Sequence, residues 1–428
     1  MKALFSFMFN FFTRSLVVLL AAMLSVNYIP DRLFSDFPLE PKSIESINFD
    51  AVIPQWNTKL SEGKPEYIQL NNILGPESIA ISGDGLLYTG LADGRLVELD
   101  PSKNYKMRTV LRFRDAKEKC QDNVATRADD CGRFLQVRFV NGTLYAIEAG
   151  TGLYMIDIKT GSRVLLGPKS SSKVNIYNSF AFDPKEPNLV YVSVSSTKWS
   201  LLNIMWSILD MDGSGKMIVF DVKSGKQAIL ADNLFMPNGV DVDAKRDQLL
   251  ISETMKGRIL SVRLSDVRNS FKTRTDEKLS LDVKPLIPLL PGNPDNVIVE
   301  GDIAYIALPF VRLSGREFID HLSNMPNVRK ALGRFMFGLG KILEYISVNF
   351  YPHPLLESVY RELKCGHFNY RATRSDRSAV ISYNLATGAT VFMGSDAFGF
   401  VSEAVPDNKG NLYIGSFRSP FIVKQKTQ

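Results

Sequence analysis

Six times along this chain a short apolar strand runs into a turn rich in Gly, Asp or Asn and returns as a second strand. Residues 77–88 and 136–145 show the theme in full, and further copies open at Asn178, Asn238, Asp295 and Glu403. Apolar residues alternating with a period of two, bounded by turn residues, are the mark of β-strands rather than helices. A four-stranded unit of this size repeated six times predicts an all-β fold, a six-bladed β-propeller spanning 67–428. Ordinary helical periodicity is absent from the repeats themselves.

The gap between the copies at 295 and 403 is about twice the others, so an insertion in the fifth blade is expected, at about 312–370. There the spacing turns helical. Leu332, Phe335, Met336, Leu339 and Leu343 fall near one face, with Lys330, Arg334 and Lys341 elsewhere. A basic amphipathic helix of this kind can rest on a bilayer or cover a channel mouth. It can equally pack on the propeller.

The N-terminus sets the compartment. Leu4–Thr13 is apolar and Phe-rich, Arg14 interrupts, and Leu16–Val26 carries no charge. Together these make up the roughly 20 apolar residues that a spanning helix needs. Lys2 and Arg14 precede the apolar core, and Asp31, Asp36 and Glu40 follow it. That asymmetry places the N-terminus inside and the rest outside. Residues 1–30 therefore read as a cytoplasmic stub and transmembrane signal-anchor, and 31–66 as a juxtamembrane segment. The expected product is a single-pass type II membrane protein with a lumenal or extracellular propeller. A signal peptide cleaved near Ala21, Ala22 or Ser25 is the rival reading, and it also exports the body. The net charge of +6 comes with no compact Lys/Arg tract, which argues against nucleic acid and fits an anionic membrane surface. Asn141-Gly142-Thr143 is a sequon for glycosylation and also a favoured hairpin turn. Cys120 and Cys131 bracket a polar loop, either as a disulfide or as two reduced thiols; an oxidising compartment favours the bridge. Cys365 is then the odd thiol.

The innermost strand of each blade lines the axis of a propeller, so equivalent positions of different blades converge. At those positions stand Glu77, Asn178, Asn238 and Asp295, with Asn296 adjacent. Two carboxylates and two amide oxygens suit one hard divalent cation of the calcium type, completed by water. Each residue alone also has a plain reading as a turn former or a solvated side chain. Their recurrence at one point of the repeat is what favours a metal.

Gly75-Pro-Glu-Ser-Ile79, Cys131-Gly-Arg133, Ser195-Ser-Thr-Lys-Trp199, Pro237-Asn-Gly-Val240, Pro294-Asp-Asn296 and Gly415-Ser-Phe-Arg-Ser-Pro-Phe421 together resemble the strictosidine synthase-like family of six-bladed propellers. The resemblance covers the anchor, the cysteine pair, the sequon and the helical insert. The wider superfamily includes paraoxonases and calcium-dependent phosphotriesterases and lactonases. It implies one channel Ca2+ held by Glu77, Asn178, Asn238 and Asp295. For close relatives it implies a type II anchor and arylesterase activity. A second, structural calcium is not expected, because Ser78 and Ser179 stand where paraoxonase-like enzymes place acids. The catalytic histidines of those enzymes have no counterpart, since His321, His353 and His367 lie in the insert. The synthase's catalytic glutamate falls at or beside Ser402, with Glu403 next to it, which argues against amine–aldehyde condensation. Val194 replaces an acid.

These readings point to a calcium-dependent ester or lactone hydrolase acting on a small molecule. Asp295 is the candidate nucleophile or base and Glu403 the reserve acid/base. The alternative is a non-catalytic propeller that binds or scaffolds a partner.

Overall fold

The computed structural model describes residues 13–426 apart from 16, 19, 46, 50–64, 115–119, 121–127, 171–173, 274–276, 313–317, 368–376 and 396–398. The chain divides into two compact units. One comprises Ile47–Leu202, Asp212–Arg316 and Arg374–Gln428, and the other Met1–Ser46, Asn203–Met211 and Glu317–Thr373.

Among its described residues the first unit contains six four-stranded antiparallel sheets. The first sheet holds β2 (Ile79–Ile81), β3 (Leu87–Gly90), β4 (Arg95–Asp100) and β5 (Lys106–Arg112). The second holds β6 (Phe134–Val140), β7 (Thr143–Glu148), β8 (Gly152–Ile156) and β9 (Arg163–Gly167). The third holds β10 (Tyr177–Phe182), β11 (Leu189–Val194), β12 (Gly215–Asp221) and β13 (Gln227–Leu234). The fourth holds β14 (Pro237–Asp243), β15 (Gln248–Glu253), β16 (Arg258–Arg263) and β17 (Lys284–Ile287). The two-residue strands β18 (Gly292–Asn293) and β21 (Phe310–Val311) pair beside the fifth sheet, which holds β19 (Val297–Glu300), β20 (Ile303–Leu308), β22 (Ser378–Asn384) and β23 (Thr390–Ser395). The sixth holds β24 (Val401–Pro406), β25 (Asn411–Ser416) and β26 (Phe421–Lys426), and takes its outer strand, β1 (Glu66–Gln69), from the other end of the chain. Glu66 opposes Lys424 across that closing pair, and their side chains meet at 3.0 Å.

The first strands of the sheets neighbour one another in a closed cycle, β2 to β6, β10, β14, β19, β24 and back to β2, as in a propeller. Burial falls from the inside outwards. Every residue of β11 is buried, whereas the first three residues of β9 are exposed. Apolar clusters such as Leu250, Ile259, Val297, Ile306 and Ile381 fill the space between neighbouring sheets, each such side chain contributing roughly 1.5–3 kcal/mol. At the hairpin joining β6 to β7, Asn141 (φ 49°) and Gly142 (φ 76°) both take left-handed backbone, which is the demand of a two-residue hairpin turn. Cys120 and Cys131 are disulfide-bonded and buried; Cys365 is a buried thiol. One expectation is corrected here. Helices do occur among the repeats, at α1 (Ile204–Asp210) and α2 (Leu264–Thr273), the latter between β16 and β17.

The second unit is helical. Its long helix α3 (Pro326–Asn349) and α4 (Pro354–Cys365) fall in sequence between β21 and β22. Proline opens each, where the missing N–H is harmless. The side chain of His353 caps α4 at its start, and Gly366 (φ 76°) ends it. Phe37 stacks on Phe337 of α3 (centroids 4.3 Å) and meets Trp206 of α1 edge-on (5.0 Å). The expected apolar face of α3 is only half right. Met336 is buried, but Leu339 is exposed, and the buried positions include Arg329, Gly333, Arg334 and Gly340. The reason is that the arginines are partnered: Arg334 pairs with Asp31, and Arg329 donates to backbone carbonyls. Among the described residues no helix is long and apolar enough to cross a membrane. Residues 1–12 of the expected anchor lie outside the described ones.

Candidate functional site

The expected ligand residues sit at the entrances of the inner strands, where the backbone departs from regular pairing. Register breaks occur between Tyr177 and Phe180 and between Pro237 and Val240. Asn178 and Asn238 lie inside those breaks. A bulge bends the strand and re-aims its side chains, which here frees both amides from the regular up-down alternation. Glu77 precedes β2, and Asp295 and Asn296 precede β19. Gly239 is required beside Asn238. A Cβ there would stand 2.4 Å from the Asn296 backbone, so two inner strands could not approach.

The five residues are all buried. Asp295 feels the charges of Glu77 and Glu403 and a hydrogen bond from Asn238. Burial, then the Glu77 charge, pushes its carboxyl well above the usual carboxylate range. Burial likewise raises Glu77, against the pull of Arg133. The buried oxygens Oδ1 of Asn178, Asn238 and Asp295, and both side-chain polar atoms of Asn296, have no hydrogen-bond partner. Buried polar atoms are nearly always satisfied. Such oxygens, at the entrances of three different inner strands, are of the kind a hard divalent cation takes, so the donor set fits Ca2+. Among the described residues, no group of three or more His, Cys, Asp or Glu side chains is placed to hold a metal. The fit therefore rests on the amides as much as on the acids.

Arg133 is the member that the sequence left without a role. Its Nη2 and Nε lie 2.9 and 3.0 Å from Glu77 Oε2, and Nη2 also donates to the Phe417 carbonyl. One oxygen of Glu77 is thus already engaged, and the negative charge of the two carboxylates is partly neutralised. Gly75 (φ 80°) makes room, since a Cβ there would meet Arg133 Nη2 at 2.5 Å. A lone Arg in Cys131-Gly-Arg133 gave no periodic signal that could have found this.

One step further along the strands a second polar layer ties the sheets together. Ser78 Oγ donates to Glu403 Oε1 (2.8 Å) and accepts from Val137 N (3.1 Å). Ser179 Oγ donates to Gln136 Oε1 (2.9 Å) and accepts from Val240 N (2.9 Å). Ser402 Oγ donates to the Glu77 carbonyl (2.6 Å). The positions expected to lack acids of a second metal site therefore carry hydroxyls that bridge neighbouring sheets. Beyond them, Arg138 on β6 reaches Asp241 on β14 (2.6 Å).

Glu403 belongs to this second layer. Burial raises its carboxyl from the usual 4.5 to about 7, opposed by Arg138, the Ile79 N–H and Ser78, and reinforced by Asp241. Its Oε2 is unpartnered. An acid whose folded-state value lies above its unfolded value holds a proton that the unfolded chain has released, so it loses stability as pH rises between the two. In chelator, urea-unfolding stability should fall between pH 4.5 and 7 by up to about 3 kcal/mol through this group. Glu403→Gln should flatten that fall; an unchanged profile would show that the carboxyl is not held protonated.

Residues 178–265 match the family model Strictosidine synthase, and residues 55–99 match Strictosidine synthase-like, N-terminal. The chain is 28% identical over 426 residues to the adipocyte plasma membrane-associated protein of Mus musculus, covering 97% of this chain and 90% of that one. Against the Homo sapiens protein of the same name it is 26% identical over 422 residues, covering 96% and 89%. Strictosidine synthase-like 13 of Arabidopsis thaliana is 24% identical over 304 residues, covering 68% and 71%. Among solved structures, a luciferin-regenerating enzyme aligns with a TM-score of 0.49 at 10% identity, covering 85% of this chain and 98% of that one. The calcium-binding protein regucalcin of Agrobacterium tumefaciens aligns at 0.48 and 11%, covering 86% and 96%. The chain thus resembles the strictosidine synthase-like family in two segments and is similar along nearly its whole length to the adipocyte plasma membrane-associated proteins.

Proposed function

We propose that the protein is a membrane-anchored, calcium-dependent ester or lactone hydrolase. Its six sheets are the blades of one propeller, and its N-terminal apolar segment is a signal-anchor. The observation that carries this reading is the set of orphaned buried oxygens on Asn178, Asn238 and Asp295. Those residues and Glu77 would hold one Ca2+. A bound calcium supplies Lewis-acid polarisation of an acyl oxygen. Arg133 fixes the Glu77 carboxylate, and the narrow approach at Gly239 keeps the ligand-bearing strands together. Glu403, whose carboxyl lies at about 7, can hold or release a proton at neutral pH. Hydrolysis joins the oxygen of water to the acyl carbon, and the water's proton passes through a carboxylate to the departing alkoxide. The names of the relatives support placement at a membrane, and the exposed turn at Asn141 supports glycosylation there.

Phenyl acetate hydrolysis by the full-length protein should drop about 10²-fold or more in EGTA and in Asp295→Ala, the scale of losing a charge-stabilising group. Re-added calcium should restore the wild type alone. Turnover indifferent to both treatments would remove the hydrolytic reading. The pairing of Glu77 with Arg133 favours a second reading, a propeller that binds without turnover. It predicts bound calcium and no hydrolysis.

A further inference from the structure

The helical unit presents an apolar surface that is exposed among the described residues. Ile342, Tyr345, Phe350 and Leu355 are 59%, 62%, 71% and 68% exposed. Leu339, Ile342 and Ile346 recur at the spacing of one helix face on α3, and the surface continues through the α3–α4 turn. Residues 345–356 contain no Asp, Glu, Lys or Arg. Two aromatic pairs mark it, Tyr345 with Phe350 (centroids 5.8 Å) and Tyr351 with His353 (5.6 Å). Rings with a polar tip collect at the boundary between lipid and water.

Two further observations name what covers this surface. The apolar N-terminal segment leads into the first turns of α3: Asn27 Nδ2 donates to the Asn327 carbonyl (2.9 Å), and Arg334 Nη1 to that of Ile29 (3.3 Å). With 24 residues, α3 is about 36 Å long, so the segment and the aromatic cluster meet its two ends. Three of the four cations of α3 are also neutralised at home, and Arg329 donates to backbone carbonyls. Lys330 pairs with Glu40, Lys341 with Asp36, and Arg334 with Asp31. The basic attraction expected from the sequence is therefore not what this helix offers.

We infer that α3 lies flat on a lipid bilayer, held at its start by the anchor and at its end by the shallow insertion of Ile342, Tyr345, Phe350 and Leu355. The attraction is apolar. It acts on neutral lipid and resists salt, unlike the polybasic mode. This rests on the anchor reading, and the test separates the two. Nitroxide labels are attached at Ile342→Cys, Phe350→Cys and, as a water-exposed control on β9, Val164→Cys, in the full chain mixed with phosphatidylcholine vesicles. The native thiol Cys365 is buried. Relative accessibility to oxygen over a water-soluble nickel reagent should be several-fold higher at 342 and 350 than at 164. High salt or added phosphatidylserine should leave it unchanged. A chain that does not float with the vesicles overturns the anchor reading. A chain that floats with 342 and 350 as wet as 164 overturns the present inference alone. Labels shielded from both reagents overturn it too, in favour of a second protein on the patch. Dependence on phosphatidylserine or low salt overturns its apolar basis.

Discussion

In a chelator, Asp295→Asn should be more stable than the wild type, and in millimolar calcium it should be less stable. The inversion follows from the geometry. Without a cation, Asp295 is buried beside Glu77 and within reach of the charge on Glu403, with Oδ1 unsatisfied. Buried charge without compensation is unfavourable, so the isosteric amide relieves it. With a cation bound as proposed, the same carboxylate would be a charged donor to it. Ligand that binds only the folded state stabilises it by about 3–4 kcal/mol at 10²–10³ times Kd, on the order of 5 °C in Tm for a chain of this size. Thermal unfolding of wild type and Asp295→Asn, each with EGTA and with calcium, gives four numbers. If calcium raises both proteins equally, Asp295 is not a ligand. If EGTA leaves the variant below the wild type, the carboxylate is not under strain in the empty site.

The sequence displayed the inner strands well because each carries a local signature, an apolar alternation closed by turn residues such as Asn141-Gly142. The residues that open them, Asn178, Asn238, Asp295 and Glu403, all stand in or next to first strands. What escaped were interactions between distant parts of the chain. The pairing of β1 with β26 joins residues from opposite ends, and nothing local in 66–69 announces it. The register breaks that re-aim Asn178 and Asn238 depend on neighbouring strands. Arg133 meets Glu77 from 56 residues away. Helix α3 reads as basic because its acidic partners, Asp31, Asp36 and Glu40, lie about 300 residues upstream. Local spacing encodes strands and turns; charge balance and satisfaction of buried polar atoms are settled only by the fold.

Arg329→Ala should loosen the helical unit by about 3–5 kcal/mol, the scale of breaking a buried charged network. Arg329 is 0% exposed. Its Nη1 donates to the Leu209 carbonyl at the end of α1 (2.9 Å), and its Nη2 to Ser323 (2.9 Å) and to Lys42 in the N-terminal segment. One guanidinium thus satisfies carbonyls from three stretches of chain, and burial pulls its proton affinity down. Truncation leaves those carbonyls unpaired and a hole beside them, two penalties that add. Arg329→Met fills much of the hole but satisfies none of the carbonyls, so it should recover only part of the loss. Arg361→Ala is the contrast. Its i,i+4 pair with Glu357 is partly exposed on both sides, and such pairs contribute about 0.3–0.5 kcal/mol. Hydrogen exchange should show the difference as lost protection at 204–211 and around 42 in Arg329→Ala, with the sheets unchanged. If Arg329→Ala matches Arg361→Ala, the three carbonyls find other partners and Arg329 does not hold these segments together.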